Sequence, residues 1–204
     1  MPLIADTLSD LVGIVAEDTG HARYLVSNHD TPYNRRSLFR TFFAGVEGIT
    51  YTLKQELLLE AGSVGYSPEE IAPLRDEGYS INAKGEASVT TKYLPTELSL
   101  LFALKLFTIT HDERFTPNTK SSGWKSFVSS LRVRHRLTHP KRAEDLQVSD
   151  DELRRLESAI GWFTSSVTNA WREEARLKSR EARALRLLGK HKAKRKDPEL
   201  PWPV

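Results

Sequence analysis

The chain has 204 residues, of which 39% are hydrophobic and 28% charged, so it is long enough for one packed domain with appendages and too short for two full domains without a clearer break in composition. It contains no cysteine, which excludes a disulfide framework and any cysteine-ligated zinc or iron–sulfur site. The formal charge of +3 arises from residues 172–196, which hold eleven Lys or Arg against three Glu, so the basic pI of 9.1 does not describe the body of the chain as a general polyanion binder.

The N-terminal part is predicted to contain two helices separated by a polar segment. Apolar residues recur at helical spacing between Asp6 and Asp18, which predicts a short first helix. Residues 19–34 are polar and irregular in pattern, so no regular structure is expected there. A long helix follows from Ser37 to Ala61. Its apolar stripe comprises Phe39, Phe42, Phe43, Val46, Ile49, Leu53 and Leu57.

Residues 62–95 are predicted to form an insertion between the main helices. The segment Ser67-Pro68-Glu69-Glu70 has the N-cap serine, N1 proline and N3 glutamate that open a helix, which we expect to end near Gly78. A glycine, an asparagine and a run of β-branched residues between 79 and 93 then indicate a loop or a small hairpin.

Three more helices are predicted in the C-terminal part. Residues 96–110 are apolar on nearly every side, which indicates a helix in the middle of a bundle, and residues 121–138 have an amphipathic pattern. A capping box at residues 149–152 precedes a helix whose apolar residues form a seam at steps of three and four. This helix is expected to run to Leu188. Residues 189–204 then form a basic, proline-containing flexible tail.

These elements predict an all-α protein with a single domain over residues 1–188. The N-terminus lacks the order of a secretory signal, since acidic residues interrupt its early apolar positions. The most apolar run, residues 98–110, contains Lys105 and is well short of the roughly 20 residues that a membrane span requires. We therefore expect a cytoplasmic protein that has no membrane partner.

The segment Arg134-His135-Arg136-Leu137-Thr138-His139-Pro140 carries polar groups on a helix that is otherwise apolar on one side. Counting 100° per residue places Arg134, His135 and Thr138 within about 60° of the expected core direction, and His139 about 80° away. A cation in that position needs a partner or a polar crevice, because burial of an unpaired charge is strongly unfavourable. The pattern predicts a polar crevice. The residues that define the expected core direction are Trp124, Phe127, Val128 and Leu131.

Arginine and histidine in such a crevice suit the cleavage of phosphodiesters. An imidazole, with an ordinary pKa of about 6.5, transfers protons readily at neutral pH. A guanidinium fork binds two phosphate oxygens and stabilises the added negative charge of the transition state. Pro140 disfavours the α conformation at His139, so the helix should end there and free the imidazole to turn towards Arg134. RNA requires no metal, because its 2′-hydroxyl can act as the nucleophile.

The segment from Leu131 to Pro140 resembles the Arg-x4-6-His motif of the HEPN superfamily (higher eukaryotes and prokaryotes nucleotide-binding). A histidine after the arginine, a proline after the last histidine and a long following helix are similar to that family. Over residues 35–171 the resemblance implies an up-and-down helical bundle of four to five main helices, HEPN-like, with no cofactor. It also implies a homodimer in which two motifs face one cleft, and a metal-independent endoribonuclease. Many such proteins are toxins paired with an antitoxin, or phage-defence proteins.

The resemblance also implies roles for individual residues. Arg134 would bind the phosphate and stabilise the transition state, His139 would be the acid–base residue, and His135 would support them. An acidic residue from an earlier helix often completes the family's site, and Glu47 is assigned to this position. Flanking cations would extend the RNA-binding surface. These are Arg132, Arg136, Lys141 and Arg142.

Other interpretations remain open at this point. The same crevice could hold a nucleotide, RNA or an acidic protein segment without catalysis, and the seam between Leu153 and Ala170 could serve assembly alone. His135 and His139 could bind zinc together, but no third ligand stands in a metalloprotease-type pattern beside them, and no metal is predicted. The flanking cations and the basic tail could serve only solubility.

Overall fold

The computed structural model describes residues 4–111 and 115–170, and these residues are mostly helical, which confirms the all-α class. The predicted end of the last helix at Leu188 and the basic tail at 189–204 lie outside the described residues. Residues 150–170 form the final described helix, α6. The preceding elements are α1 (Ile4–Asn28), α2 (Pro32–Val64), α3 (Pro68–Leu74), β1 (Glu77–Ile81), β2 (Ala87–Thr91), α4 (Thr96–Thr110), α5 (Ser122–Thr138) and a 3-10 turn (Ala143–Leu146).

The first helix is longer than predicted, and the prediction of an irregular segment over residues 19–34 is wrong. Thr19 and Ala22 are buried and continue the inner face of α1, but neither is a large apolar residue, so the sequence pattern fades while the burial does not. The connection to α2 is short. Thr31 caps α2 by accepting a hydrogen bond from the backbone N–H of Asn34 at 3.2 Å.

α1 and α2 approach each other closely at Gly45. A Cβ atom built on Gly45 would overlap the side chain of Val15, whereas one built on Gly48 would meet only Leu11 Cδ2, at 3.9 Å. We expect Gly45→Ala to lower the free energy of unfolding by about 1–3 kcal/mol, because the stiff, β-branched Val15 cannot turn away. Gly48→Ala should raise it by roughly 0.5–1 kcal/mol through helix propensity. Denaturant titrations of both variants test this, and effects of the same sign would contradict it.

The insertion contains the small hairpin that was one of the two predicted possibilities. β1 and β2 pair in antiparallel register, with Tyr79 opposite Val89. The prediction that α3 continues to Gly78 is wrong, since α3 ends at Leu74. Asp76 takes a left-handed conformation with φ 54°, and its carboxylate lies 2.5 Å from the buried ammonium group of Lys54. This ion pair ties the start of the hairpin to α2.

α2 is the central helix, in contact with α1, α3, α4 and α5. α4 was predicted to lie in the middle of the bundle, and this prediction is wrong. Leu98, Lys105 and Ile109 form an exposed stripe along it, so its neighbours do not surround it. No helix in residues 4–111 and 115–170 combines the length and the apolar character needed to cross a membrane.

The directions of successive main helices also do not alternate as they would in the predicted up-and-down bundle. The hydroxyls of Tyr66, just after α2, and Thr110, at the end of α4, are 2.5 Å apart. His111 Nε2 lies 3.6 Å from Glu60 Oε2 at the same end. The C-terminal ends of α2 and α4 therefore lie together, because the inserted α3 and hairpin carry the chain back before α4 begins.

α5 is held between α2 and α6 by aromatic packing. Phe127 is fully buried, with ring centroids 5.7 Å from Phe43 and 5.1 Å from Trp162. Arg136 pairs with Glu152 at 2.9 Å at the other end of α5. These contacts fix the rotation of α5 about its own axis and thereby decide which of its polar residues reach solvent.

Candidate functional site

The buried face of α5 is not the one predicted from its large apolar residues. At 100° per residue, the mean direction of the buried residues of α5 differs by about 115° from the core direction expected from the sequence. Arg134 remains beside this face and is half-buried, but His135 and Thr138 are exposed. The prediction that all three continue the core side is therefore wrong for His135 and Thr138. The buried residues are Phe127, Ser130, Val133 and Leu137, with Trp124, Val128 and Leu131 half-buried next to them.

Arg134 and Glu47 form an ion pair between α5 and α2. The Arg134 Nη2 atom lies 2.6 Å from Glu47 Oε1, with the two side chains 26% and 41% exposed. The structure thus brings together the arginine of the motif and the carboxylate that was assigned to it from sequence. A guanidinium has five N–H donors and a carboxylate engages at most two of them, so the fork retains donors for an anion such as phosphate.

His135 and His139 lie side by side at the end of α5. Their ring centroids are 5.0 Å apart with an interplanar angle of 61°. α5 ends at Thr138, as predicted, and His139 is its C-cap with φ −124° and ψ 58°. The backbone N–H of His139 still donates to the carbonyl of His135 at 3.0 Å. Both rings are exposed, so they are open to a ligand.

A cleft of about 450 Å³ opens between α5 and the start of α4. This volume lies in the range of small-molecule sites, which is about 300–1,000 Å³. The N–H groups of the first helical residues lack a partner within the helix, and Thr96 and Glu97 at the start of α4 line this cleft. The cleft therefore joins anion-binding groups from α4 and α5 with one carboxylate, that of Glu97. Its lining includes Pro95, Thr96 and Glu97 from α4 with Arg132, Arg134 and His135 from α5.

The four flanking cations occupy different places. Arg132 is exposed on the wall of the cleft. Arg136 lies away from it, because its guanidinium pairs with Glu152 of α6. Lys141 and Arg142 are exposed in the turn after α5. The backbone N–H groups of Lys141 and Arg142 donate to the carboxylate of Asp145. These hydrogen bonds, that of Lys141 above all, hold the pKa of this carboxyl below its ordinary value.

Two exposed residues of α2 near this site were missed in the sequence. Arg40 Nη2 donates to the carbonyl of Leu137 at 3.2 Å and so caps the last turn of α5. Tyr51 follows Glu47 by one turn and is exposed. A helical spacing in the sequence could have revealed them. Arg40, Ala44, Glu47 and Tyr51 are separated by four, three and four residues, so they share a face of α2 that lies away from its apolar stripe.

No set of side chains in the described ranges, 4–111 and 115–170, is arranged to bind a metal ion. They contain no group of three or more His, Asp or Glu side chains that could hold an ion. The histidine pair of α5 therefore lacks a third protein ligand within these ranges.

Comparison with known proteins returned no match: neither a family model, nor a curated protein, nor a solved structure is significantly similar to this chain. The functional assignment therefore depends on the residues and geometry described above.

Proposed function

We propose that this protein is a metal-independent endoribonuclease of the HEPN type. The observation that carries the proposal is the half-buried Arg134, which Glu47 orients at 2.6 Å beside a cleft that His135 also lines. His139, in contact with His135, completes the motif. An oriented guanidinium next to two imidazoles supplies charge stabilisation and proton transfer, which are the two requirements of phosphodiester cleavage.

Arg134 binds the scissile phosphate in this mechanism. Its remaining N–H donors take the non-bridging oxygens, and the positive end of the α4 dipole lies at the same cleft. Glu47 holds the fork in orientation, so little rotational freedom is lost when the phosphate arrives. The guanidinium stabilises the extra negative charge as the phosphorus becomes five-coordinate.

His139 transfers the proton. The 2′-oxygen attacks the adjacent phosphorus, the bond from phosphorus to the 5′-oxygen breaks, and the products carry a 2′,3′-cyclic phosphate and a 5′-hydroxyl. One group must take the proton of the 2′-hydroxyl and another must protonate the leaving oxygen. In a homodimer, two copies of the motif supply both. The half-buried Val128 and Leu131 add an apolar part to the wall of the cleft, which a second copy would cover.

Such an enzyme acts on cytoplasmic RNA and needs restraint in the cell that makes it. We therefore include in the proposal a role as a toxin of a toxin–antitoxin pair or as a phage-defence protein, with an antitoxin protein as the second partner. Expression of the protein alone should arrest growth.

Purified protein should cleave unpaired RNA in the presence of EDTA and leave 2′,3′-cyclic phosphate ends, because the nucleophile belongs to the substrate. An oligonucleotide of the same sequence with 2′-deoxy sugars is the matched control and should stay intact. Mass spectrometry of the products reads out both. Cleavage of the deoxy control, or a strict need for a divalent ion, would refute the mechanism.

A non-catalytic RNA- or nucleotide-binding module is the second candidate. The exposure of both histidine rings favours it, since an imidazole surrounded by water is less well oriented for proton transfer. RNA binding that depends on Arg134, together with intact RNA across substrates and pH values, would support this candidate over the enzyme.

A further inference from the structure

Tyr51 presents an aromatic ring to solvent next to the Arg134–Glu47 pair. Its exposed fraction is 61%. At 100° per residue, the stripe formed by Arg40, Ala44, Glu47 and Tyr51 lies within about 30° of one direction on α2. Tyr51 follows Glu47 by four residues, which corresponds to a rise of about 6 Å along the helix. The ring and the ion pair therefore share one open surface.

The direction of helical side chains brings the ring still closer to Glu47. Side chains of an α-helix lean towards its N-terminus, so we expect the ring of Tyr51 to point towards the turn that carries Glu47. Within the described residues no ring contact or hydrogen bond engages Tyr51, whereas Tyr66 bonds Thr110 and Tyr24 lies beside His21. Both the position and the free face of the ring suit a planar ligand.

We propose that Tyr51 stacks on a base of single-stranded RNA whose phosphate is bound by Arg134. This inference rests on the proposed ribonuclease function and adds the class of substrate. The faces of a base in a duplex are already stacked, so a tyrosine ring on an open surface selects unpaired nucleotides. Ala44, small and exposed on the same stripe, leaves room for the strand to continue towards the cation of Arg40.

The test uses the whole 204-residue chain and a DNA oligonucleotide with one ribonucleotide, which restricts cleavage to one known bond. Tyr51→Ala should raise KM roughly 5- to 150-fold, the range expected for loss of one base stack. kcat should change little, because the stack is equally strong in the ground and transition states. Tyr51→Phe keeps the ring and should keep the KM. Tyr24→Ala, which removes a tyrosine of equal 61% exposure from α1, is the matched control.

An abasic nucleotide placed on either side of the ribonucleotide locates the stacked base. On one side it should raise the KM of the unmodified protein and have no further effect on Tyr51→Ala. An unchanged KM for Tyr51→Ala, an equal loss for Tyr24→Ala, or equally efficient cleavage within a duplex would each overturn this inference. If the unmodified protein cleaves nothing, the proposed function itself fails, so the two failures are distinguishable.

Discussion

Replacement of Arg134 by alanine is expected to slow RNA cleavage by roughly 100- to 1,000-fold, the usual loss when one donor to a developing oxyanion is removed. The guanidinium pairs with Glu47 at 2.6 Å, which orients it, and it also lines the cleft. Single-turnover rates on the oligonucleotide with one ribonucleotide measure the effect. Because the ion pair is partly exposed, its loss should cost at most about 1 kcal/mol of stability, so the variant stays folded.

Arg23→Ala is the matched control for this prediction. Arg23 also forms an ion pair between helices, with Glu157 at 2.6 Å, but it lies on α1 away from the motif. Its loss should leave cleavage unchanged. Arg134→Lys should retain part of the activity at most, because an ammonium group keeps the charge and lacks the planar fork. Cleavage by Arg134→Ala at the unmodified rate, with the thermal unfolding profile preserved, would exclude the proposed role of this arginine.

Replacement of His139 by alanine should reduce the cleavage rate by roughly 100- to 10,000-fold, the usual contribution of general acid–base catalysis. RNA binding should persist, because Arg134 and the start of α4 remain in place. The rate with saturating protein and the dissociation constant for an uncleavable 2′-deoxy strand separate the two effects. His135→Ala should lose less, since this ring supports His139 through their 5.0 Å contact.

His29→Ala supplies a histidine control, since His29 is exposed between α1 and α2 and outside the motif. Growth of cells that express each variant gives a second readout. The protein with His29→Ala should still arrest growth, whereas the protein with His139→Ala should not. A fully active His139→Ala protein would remove this residue from the mechanism and leave His135 as the remaining imidazole of the motif.

Local signals in the sequence were sufficient for most elements of the fold. Ser67 and Glu70 form the predicted capping box of α3, and Ser149 and Glu152 form that of α6. Caps of this kind depend on residues three apart in the chain, so no distant contact is needed to find them. The end of α1 was missed because Thr19 carries little apolar signal, although neighbouring helices bury it. The exposed stripe of α4 was missed because an apolar composition does not say how many neighbours a helix has.

The candidate site likewise has features that local sequence determined and a feature that only the tertiary structure decided. The sequence alone determined that Arg134, His135 and His139 lie at the end of one helix that Pro140 closes, since these relations involve only nearby residues and backbone geometry. Only the tertiary structure decided which way that helix faces. Packing of Phe127 against Phe43 and Trp162 sets its rotation.

That rotation has consequences that no local pattern contains. It joins Arg134 to Glu47, commits Arg136 to Glu152 and leaves His135 in solvent. The physical reason is that helix rotation minimises the exposed apolar surface of the whole bundle, a quantity that depends on all the neighbouring helices at once.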